Sequence, residues 1–349
     1  MGPHELIARN GILNALAIHS RGVDRADLNL LSAAYHPQAT VDYGFFKGPA
    51  ETLCTILAEA QKPTLPTLHR TSNAIIRVKG EQAISESYVI AYAEEVNVQR
   101  FILGRYLDRH ACRDGQWRLT HRTYVLDGNA NRSNAAERAD PPVLHDNLTP
   151  YGGKGASDAG RAMLTYYEAS SRHLQKAKPM TADPAALDAA ISRMAIHDLV
   201  TAYCRGVDRG DASLLASIFW EDSTVISGIV NGSGAQFAEK ITAYCTSNLG
   251  YCFHSVSNEW IEVSGNHGVG EHYVIAHMTS SGTDVMTGGR YLDSYERRDG
   301  VWKIKNRTFV SDWNTHHPTT MQTDGFYAPL DTRGSFGRGD PIYDHWASL

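Results

Sequence analysis

Between Ile7 and Ile18 apolar residues recur at intervals of three and four, and they do so again between Ile191 and Tyr203. Each stretch predicts a helix. Asp27 and Asp211 then stand directly before the short apolar runs LNLLSAAY and ASLLASIF, where a side-chain oxygen can cap a second helix. From Arg70 onward the period changes to two. AIIRV, AISESYVIAY, RFILGRYLDRHA and QWRLTHRTYVL alternate apolar and polar positions and are separated by the turn sequences KGEQ and RDGQ, which predicts an antiparallel meander. Helices followed by such a meander predict an α+β layer arrangement, with the helices covering one concave face of a curved sheet.

The pattern occurs twice. RGVDRADLNLL at Arg21 returns as RGVDRGDASLL at Arg205, LHRTSNAIIRV at Leu68 returns as FHSVSNEWIEV at Phe253, and Gly104–Asn129 matches Gly289–Asn314 at 14 of 26 positions. A repeat of roughly 185 residues is too long for a solenoid unit and predicts two complete domains, each with its own core. The expected division is a first domain over 1–138, an extension and linker over 139–185 with a short helical pattern (AGRAMLTYYEASSRHLQ), and a second domain over 186–349. The tail from Thr315 is rich in Gly, Pro, Asp and aromatics; it reads either as an ordered arm that covers something or as a loosely packed end.

Composition narrows the partners. A formal net charge of −5 with scattered basic residues leaves no electrostatic footprint for nucleic acid. The first twenty residues hold no apolar run of signal-peptide length and no window approaches a membrane span, so a cytoplasmic protein with no membrane partner is expected. Five cysteines without C-x-x-C spacing argue against a disulfide framework and against a zinc site. GGKG at Gly152 lacks phosphate-loop spacing, and neither G-x-G-x-x-G nor H-E-x-x-H occurs. His316-His317 reads as a metal-binding pair or as polar loop. The expectation is no cofactor and no metal.

Asp24 and Asp208 follow the first helix of each copy and read by themselves as turn or capping residues. His69 and His254 each precede an apolar strand, where a histidine is either a satisfied core residue or a functional one. Arg122 and Arg307 lie in R-T-[YF]-V; among apolar neighbours an arginine needs an anion or a place at the sheet rim. The G-V-D after a helix, the lone His before a strand and the run G-x-Y…Y-E-R-R-D-G-V-W-K at Gly289–Lys303 resemble the SnoaL-like group of the nuclear transport factor 2 superfamily. Within it, the second copy is most similar to the hexachlorocyclohexane dehydrochlorinase and scytalone dehydratase branch. The resemblance covers about 130 residues of each half and implies two tandem cones, each a curved sheet wrapped around helices with an internal pocket.

The resemblance also implies roles. His69 and His254 take the position of the family's catalytic histidine, Asp24 and Asp208 that of its partner, and Arg122 and Arg307 that of an arginine stabilising the leaving group. The family's strand parity turns Tyr106 and Tyr291 toward the cavity and Arg105 and Arg290 away. The dehydrochlorinase branch carries a Lys five residues before the Asp, and the dehydratase branch a Tyr; here His19 and Tyr203 stand there, a departure from the former that puts halide expulsion in doubt. Tyr124 against Phe309 is another difference between the copies. His19, Tyr106, Tyr124, Tyr203, Tyr291 and Phe309 are accordingly the expected substrate-binding residues. A carboxylate on one imidazole nitrogen makes the other a general base without a metal. With no cofactor expected, the electron sink lies in the substrate. The expected activity is therefore a lyase that eliminates water, formaldehyde or a similar small group from an apolar aromatic molecule, such as a lignin-derived diaryl compound. A ketosteroid-isomerase-like proton shuttle and a non-catalytic ligand-binding protein are the alternatives. The two copies are expected to pack as an intramolecular pseudo-dimer or to join a homo-oligomer.

Overall fold

A computed structural model describes residues 2–64, 67–95, 97–133, 153–158, 160–161 and 183–349. The short helix expected in the linker lies, apart from Gly160 and Arg161, outside the described residues. In the first half, α1 (Pro3–Asp24), α2 (Leu28–Ala33) and α3 (Ala50–Gln61) accompany β1 (Tyr35–Asp42), β2 (Lys47–Pro49), β3 (Leu68–Lys79), β4 (Gln82–Glu94), β5 (Val98–Arg113) and β6 (Gln116–Ser133). The second half repeats them as α4 (Pro184–Asp208), α5 (Ala212–Ser217), β7 (Phe219–Ile226), β8 (Asn231–Gly232), α6 (Gly234–Asn248), β9 (Tyr251–Ser264), β10 (His267–Ser280), β11 (Thr283–Arg298) and β12 (Val301–Pro318).

Each half forms a six-stranded sheet, ordered β2-β1-β6-β5-β4-β3 and β8-β7-β12-β11-β10-β9. The predicted meander makes four antiparallel strands of each sheet. The other two strands carried no period-two signal, and β1 and β7 lie parallel to β6 and β12, so the sheets are mixed rather than wholly antiparallel. The helices α3 and α6 were also not foreseen. Asp27 and Asp211 cap α2 and α5, each accepting a backbone N–H at 3.0 Å. The glycine of G-V-D has a packing reason, because a Cβ on Gly22 would lie 2.7 Å from the Leu31 backbone. This close crossing of α1 over α2 fixes where the helix ends and hence where Asp24 sits.

The halves pack against each other. The end of α4 and the start of β9 lie on the convex face of the first sheet, where Phe253 meets Tyr88 with ring centroids 5.0 Å apart. Asn73 donates to the His254 carbonyl and accepts from the Val256 amide, and Arg9 pairs with Asp198 at 2.7 Å. The C-terminal arm then crosses to the first domain. Thr320 and Gln322 bond to Asn131 and Asn129, Leu126 pairs with the backbone at Thr332 and Gly334, and Tyr327 is fully buried. Gly44, at φ +75°, lies so close to the arm that a Cβ would reach 2.1 Å from the Pro329 carbonyl. A final helix, α7 (Pro341–Ala347), lays Ile342 and Trp346 on Ile84, Leu107 and Val125 of the first sheet's convex face. Of the two readings of the tail, the covering arm is the one observed.

Candidate active site

The end of α1 and the start of β3 bring Asp24 and His69 together. Asp24 Oδ1 lies 2.7 Å from His69 Nδ1, Oδ2 accepts the His69 backbone N–H at 2.8 Å, and the Thr67 hydroxyl donates to Oδ1 at 2.9 Å. The second domain repeats the geometry, with Asp208 Oδ1 at 2.6 Å from His254 Nδ1 and Oδ2 at 2.8 Å from its backbone N–H. A carboxylate only accepts, so Nδ1 carries the proton in both pairs and Nε2 is the free basic nitrogen. Burial opposes charge on His254, but the Asp208 carboxylate outweighs it and raises the imidazole above its ordinary value. Asp208 moves the other way: burial raises it, and the charge and hydrogen bond of His254 more than offset this.

The two hollows differ. In the second domain a cavity of about 480 Å³ opens beside the pair, walled by Tyr203, Phe237, His254, Val274, Tyr291 and Phe309. Tyr203 stacks on Phe237 (5.9 Å, 9°) and meets Tyr291 edge-on at 5.2 Å. Burial keeps the Tyr203 and Tyr291 phenols well above their ordinary values, so both are neutral hydrogen-bond donors. In the first domain the corresponding walls carry a cluster of tyrosines. Tyr35, Tyr43, Tyr106 and Tyr124 pack on one another with Tyr327 and Leu330 of the arm. His19 sits among them, with Nδ1 3.2 Å from the Tyr35 hydroxyl and Nε2 3.4 Å from that of Tyr43. Burial, then the charges of Arg122 and His69, hold its imidazole well below the ordinary value, so His19 is a neutral packing residue. Tyr43, which the sequence reading passed over, corresponds to Ser227 on the cavity wall. Comparing the copies position by position would have flagged that exchange.

Arg122 and Arg307 are neither rim residues nor free cations. Arg122 makes two 2.7 Å bonds to Asp108, its direct cross-strand neighbour, and Arg307 bonds Asp293 at 2.8 and 2.6 Å. These aspartates, in G-R-Y-L-D, are the anions the sequence reading required but did not identify. Arg307 lies behind the cavity wall, its guanidinium 4.0 and 4.3 Å from the Tyr203 and Tyr291 ring centres, and its Nη1 has no hydrogen-bond partner. Arg122 sits 3.7 Å from the Tyr106 ring. His316 and His317 fall on β12, not in a loop, and point apart: His316 lines this cavity and His317 another.

A curved mixed sheet over helices, with an Asp–His pair joining the first helix to the sheet, is the nuclear transport factor 2-like cone. The SnoaL-like domain family matches residues 4–123 and 188–308, and the chain belongs to that family as a tandem pair. It is 29% identical over 134 residues to the gamma-hexachlorocyclohexane dehydrochlorinase of Sphingobium indicum, an alignment covering 37% of this chain and 86% of that protein. A solved hexachlorocyclohexane dehydrochlorinase of type 2 aligns at 29% identity and TM-score 0.35, over 36% of this chain and 89% of that one. A candidate scytalone dehydratase from Novosphingobium aromaticivorans aligns at 22% identity and TM-score 0.34, over 36% and 88%. Similarity to curated enzymes of the lyase type thus extends over about one domain's length. Among the described residues, no helix is long and apolar enough to cross a membrane.

Proposed function

We propose that the chain is a lyase whose second domain eliminates a small neutral group from an apolar aromatic molecule without an organic cofactor. The observation that carries this reading is the His254–Asp208 pair on the wall of the 480 Å³ aromatic cavity, within the size range of small-molecule sites. His254 Nε2 takes a proton from the bound substrate, and Asp208 stabilises the imidazolium. In a dehydration the C–H pair becomes the new double bond, the C–O bond breaks with its pair on oxygen, and the imidazolium returns its proton to that oxygen to release water. A phenol conjugated to the reacting carbon supplies the electron sink through a quinone-methide-like state. Formaldehyde can leave after water: once the benzylic oxygen has departed as water to give the quinone methide, Nε2 takes the proton of a neighbouring CH2OH group, the C–C bond breaks to release formaldehyde, and its pair restores the aromatic ring.

Tyr203 and Tyr291, both lining the cavity, donate to a substrate oxygen in this reading, and the surrounding apolar wall suits the rings. The charge of Arg307 is already met by Asp293, which favours a neutral leaving group over chloride. Dehydrochlorination is the reaction named for the curated relatives, and elimination is the chemistry shared with this reading. Incubation with phenolic compounds, including lignin-derived diaryl compounds, that carry a proton and an oxygen leaving group on adjacent carbons tests it by mass spectrometry. Product lighter by water or formaldehyde, and absent with His254→Ala, is the expected result. Product of unchanged mass means a proton-shuttling isomerase, and binding without turnover means a ligand-binding protein.

A further inference from the structure

The two domains keep the Asp–His pair but surround it differently. In the first, Thr67 bonds Asp24 at 2.9 Å and Gln61 at 3.1 Å. At the corresponding positions the second domain has Cys252 and Cys245. Both cysteines line the aromatic cavity and are buried, at 1% and 3% exposure. Cys252 Sγ lies 3.6 Å from His254 Nδ1, and one ligand atom each of Asp208, Cys252 and His254 all fall within 4.8 Å of one another.

We propose that Cys245, Cys252, His254 and Asp208 form a binding site for a thiophilic divalent cation of the zinc class. Two sulfurs, one imidazole nitrogen and one carboxylate oxygen are the donor set such ions select. Around zinc, with bonds of about 2.0–2.3 Å, tetrahedral ligand atoms stand roughly 3.3–3.8 Å apart, a range that includes the observed S···N separation. The Nδ1···Oδ1 contact of 2.6 Å has to open for the ion to enter. The donors come from three elements, the ends of α4 and α6 and the start of β9; Asp208, Cys252 and His254 already stand together, and Cys245 from the same cavity wall completes the set when the ion draws it in. The spacing of the cysteines along the chain did not reveal it, because the partners are tertiary neighbours. Binding displaces the thiol protons and the Nδ1 proton and removes Nδ1 from Asp208. The cation and the Asp–His base are therefore alternative states of one site.

The test is a titration of the reduced full-length chain with Co2+, followed by competition with Zn2+. One Co2+ per chain is expected, with thiolate charge-transfer absorption and the visible bands of a tetrahedral site, both erased by Zn2+. The Cys245→Gln/Cys252→Thr variant installs the first domain's residues; it is expected to lose the bands and weaken Zn2+ binding at least 100-fold with an unchanged melting curve. His254→Asn is expected to alter the bands, and His69→Asn and Cys54→Ala to leave them intact. Undiminished binding by the double variant, absent thiolate bands, no stoichiometric uptake, or a Cys245–Cys252 disulfide that persists under reductant overturns the proposal. The titration reads metal rather than turnover, so it stands separately from the lyase reading.

Discussion

The first and second domains share a fold and an Asp–His pair, yet the walls around the pair differ. Tyr43 packs with the arm's Tyr327 and Leu330 in the first, whereas its counterpart Ser227 lines an open cavity in the second. The convex faces show the same contrast. Arg105 and Arg290 occupy equivalent positions and each bonds two equivalent acids, Glu86 with Asp127 and Glu271 with Asp312. The first set is fully buried beneath α4 and the arm, where Arg209 and Asp340 join it; the second faces solvent. Duplication thus lets the two copies keep one fold and one pair while their surroundings diverge. The energetic meaning of a residue depends on which copy holds it.

The largest test of this asymmetry is catalytic. His254→Ala is expected to lower kcat about 10³-fold, within the range for removal of a general base, while His69→Ala stays within a factor of about three. Equal losses on the assayed substrate would make both domains catalytic. Next comes stability. Asp127→Ala leaves the Arg105 and Arg209 charges under-compensated in a dry interface and should cost about 3–5 kcal/mol in urea unfolding. Asp312→Ala, on the exposed counterpart, is expected to leave the unfolding midpoint almost unmoved. A third comparison exchanges the wall residues. Ser227→Tyr should reduce affinity for an aromatic ligand at least tenfold by calorimetry with stability retained, whereas Tyr43→Ser should open the first hollow and cost roughly 3 kcal/mol.

The smallest effect is in pH. His254 is raised because Asp208 outweighs the effect of burial, so its contribution to stability is complete below the unfolded-state value near 6.5 and fades as pH climbs through the higher folded value. The acid limb of kcat/KM should correspondingly lie above 6.5, since the base works only when neutral, and Asp208→Asn should bring it down. An acid limb at or below 6.5 in the wild-type enzyme would remove His254 as the base.

Much of the architecture was legible in the chain. The helix that ends at G-V-D, the meander from Arg70 and the repeat all follow from local periodicity and turn chemistry. The Asp24–His69 and Asp208–His254 pairs could be named from resemblance, and their geometry is as required for a carboxylate-held imidazole. β1 and β7 were not legible, because a strand pairing in parallel with a distant partner need not alternate. The roles of Arg122 and Arg307 were half visible: burial demanded an anion, but Asp108 and Asp293 become their partners only through strand register.

The sequence by itself determined the duplicated α+β plan, because this rests on local spacing and on short-range turns; the residues of each Asp–His pair came from its resemblance to the SnoaL-like group. Tertiary structure alone decided that His19 is buried among tyrosines while Tyr203 faces a cavity, that the arm packs on the first domain, and that Cys252 meets the second pair. Each of these depends on which distant segments exclude water from a side chain, and that exclusion is a property of the packed molecule rather than of any stretch of chain.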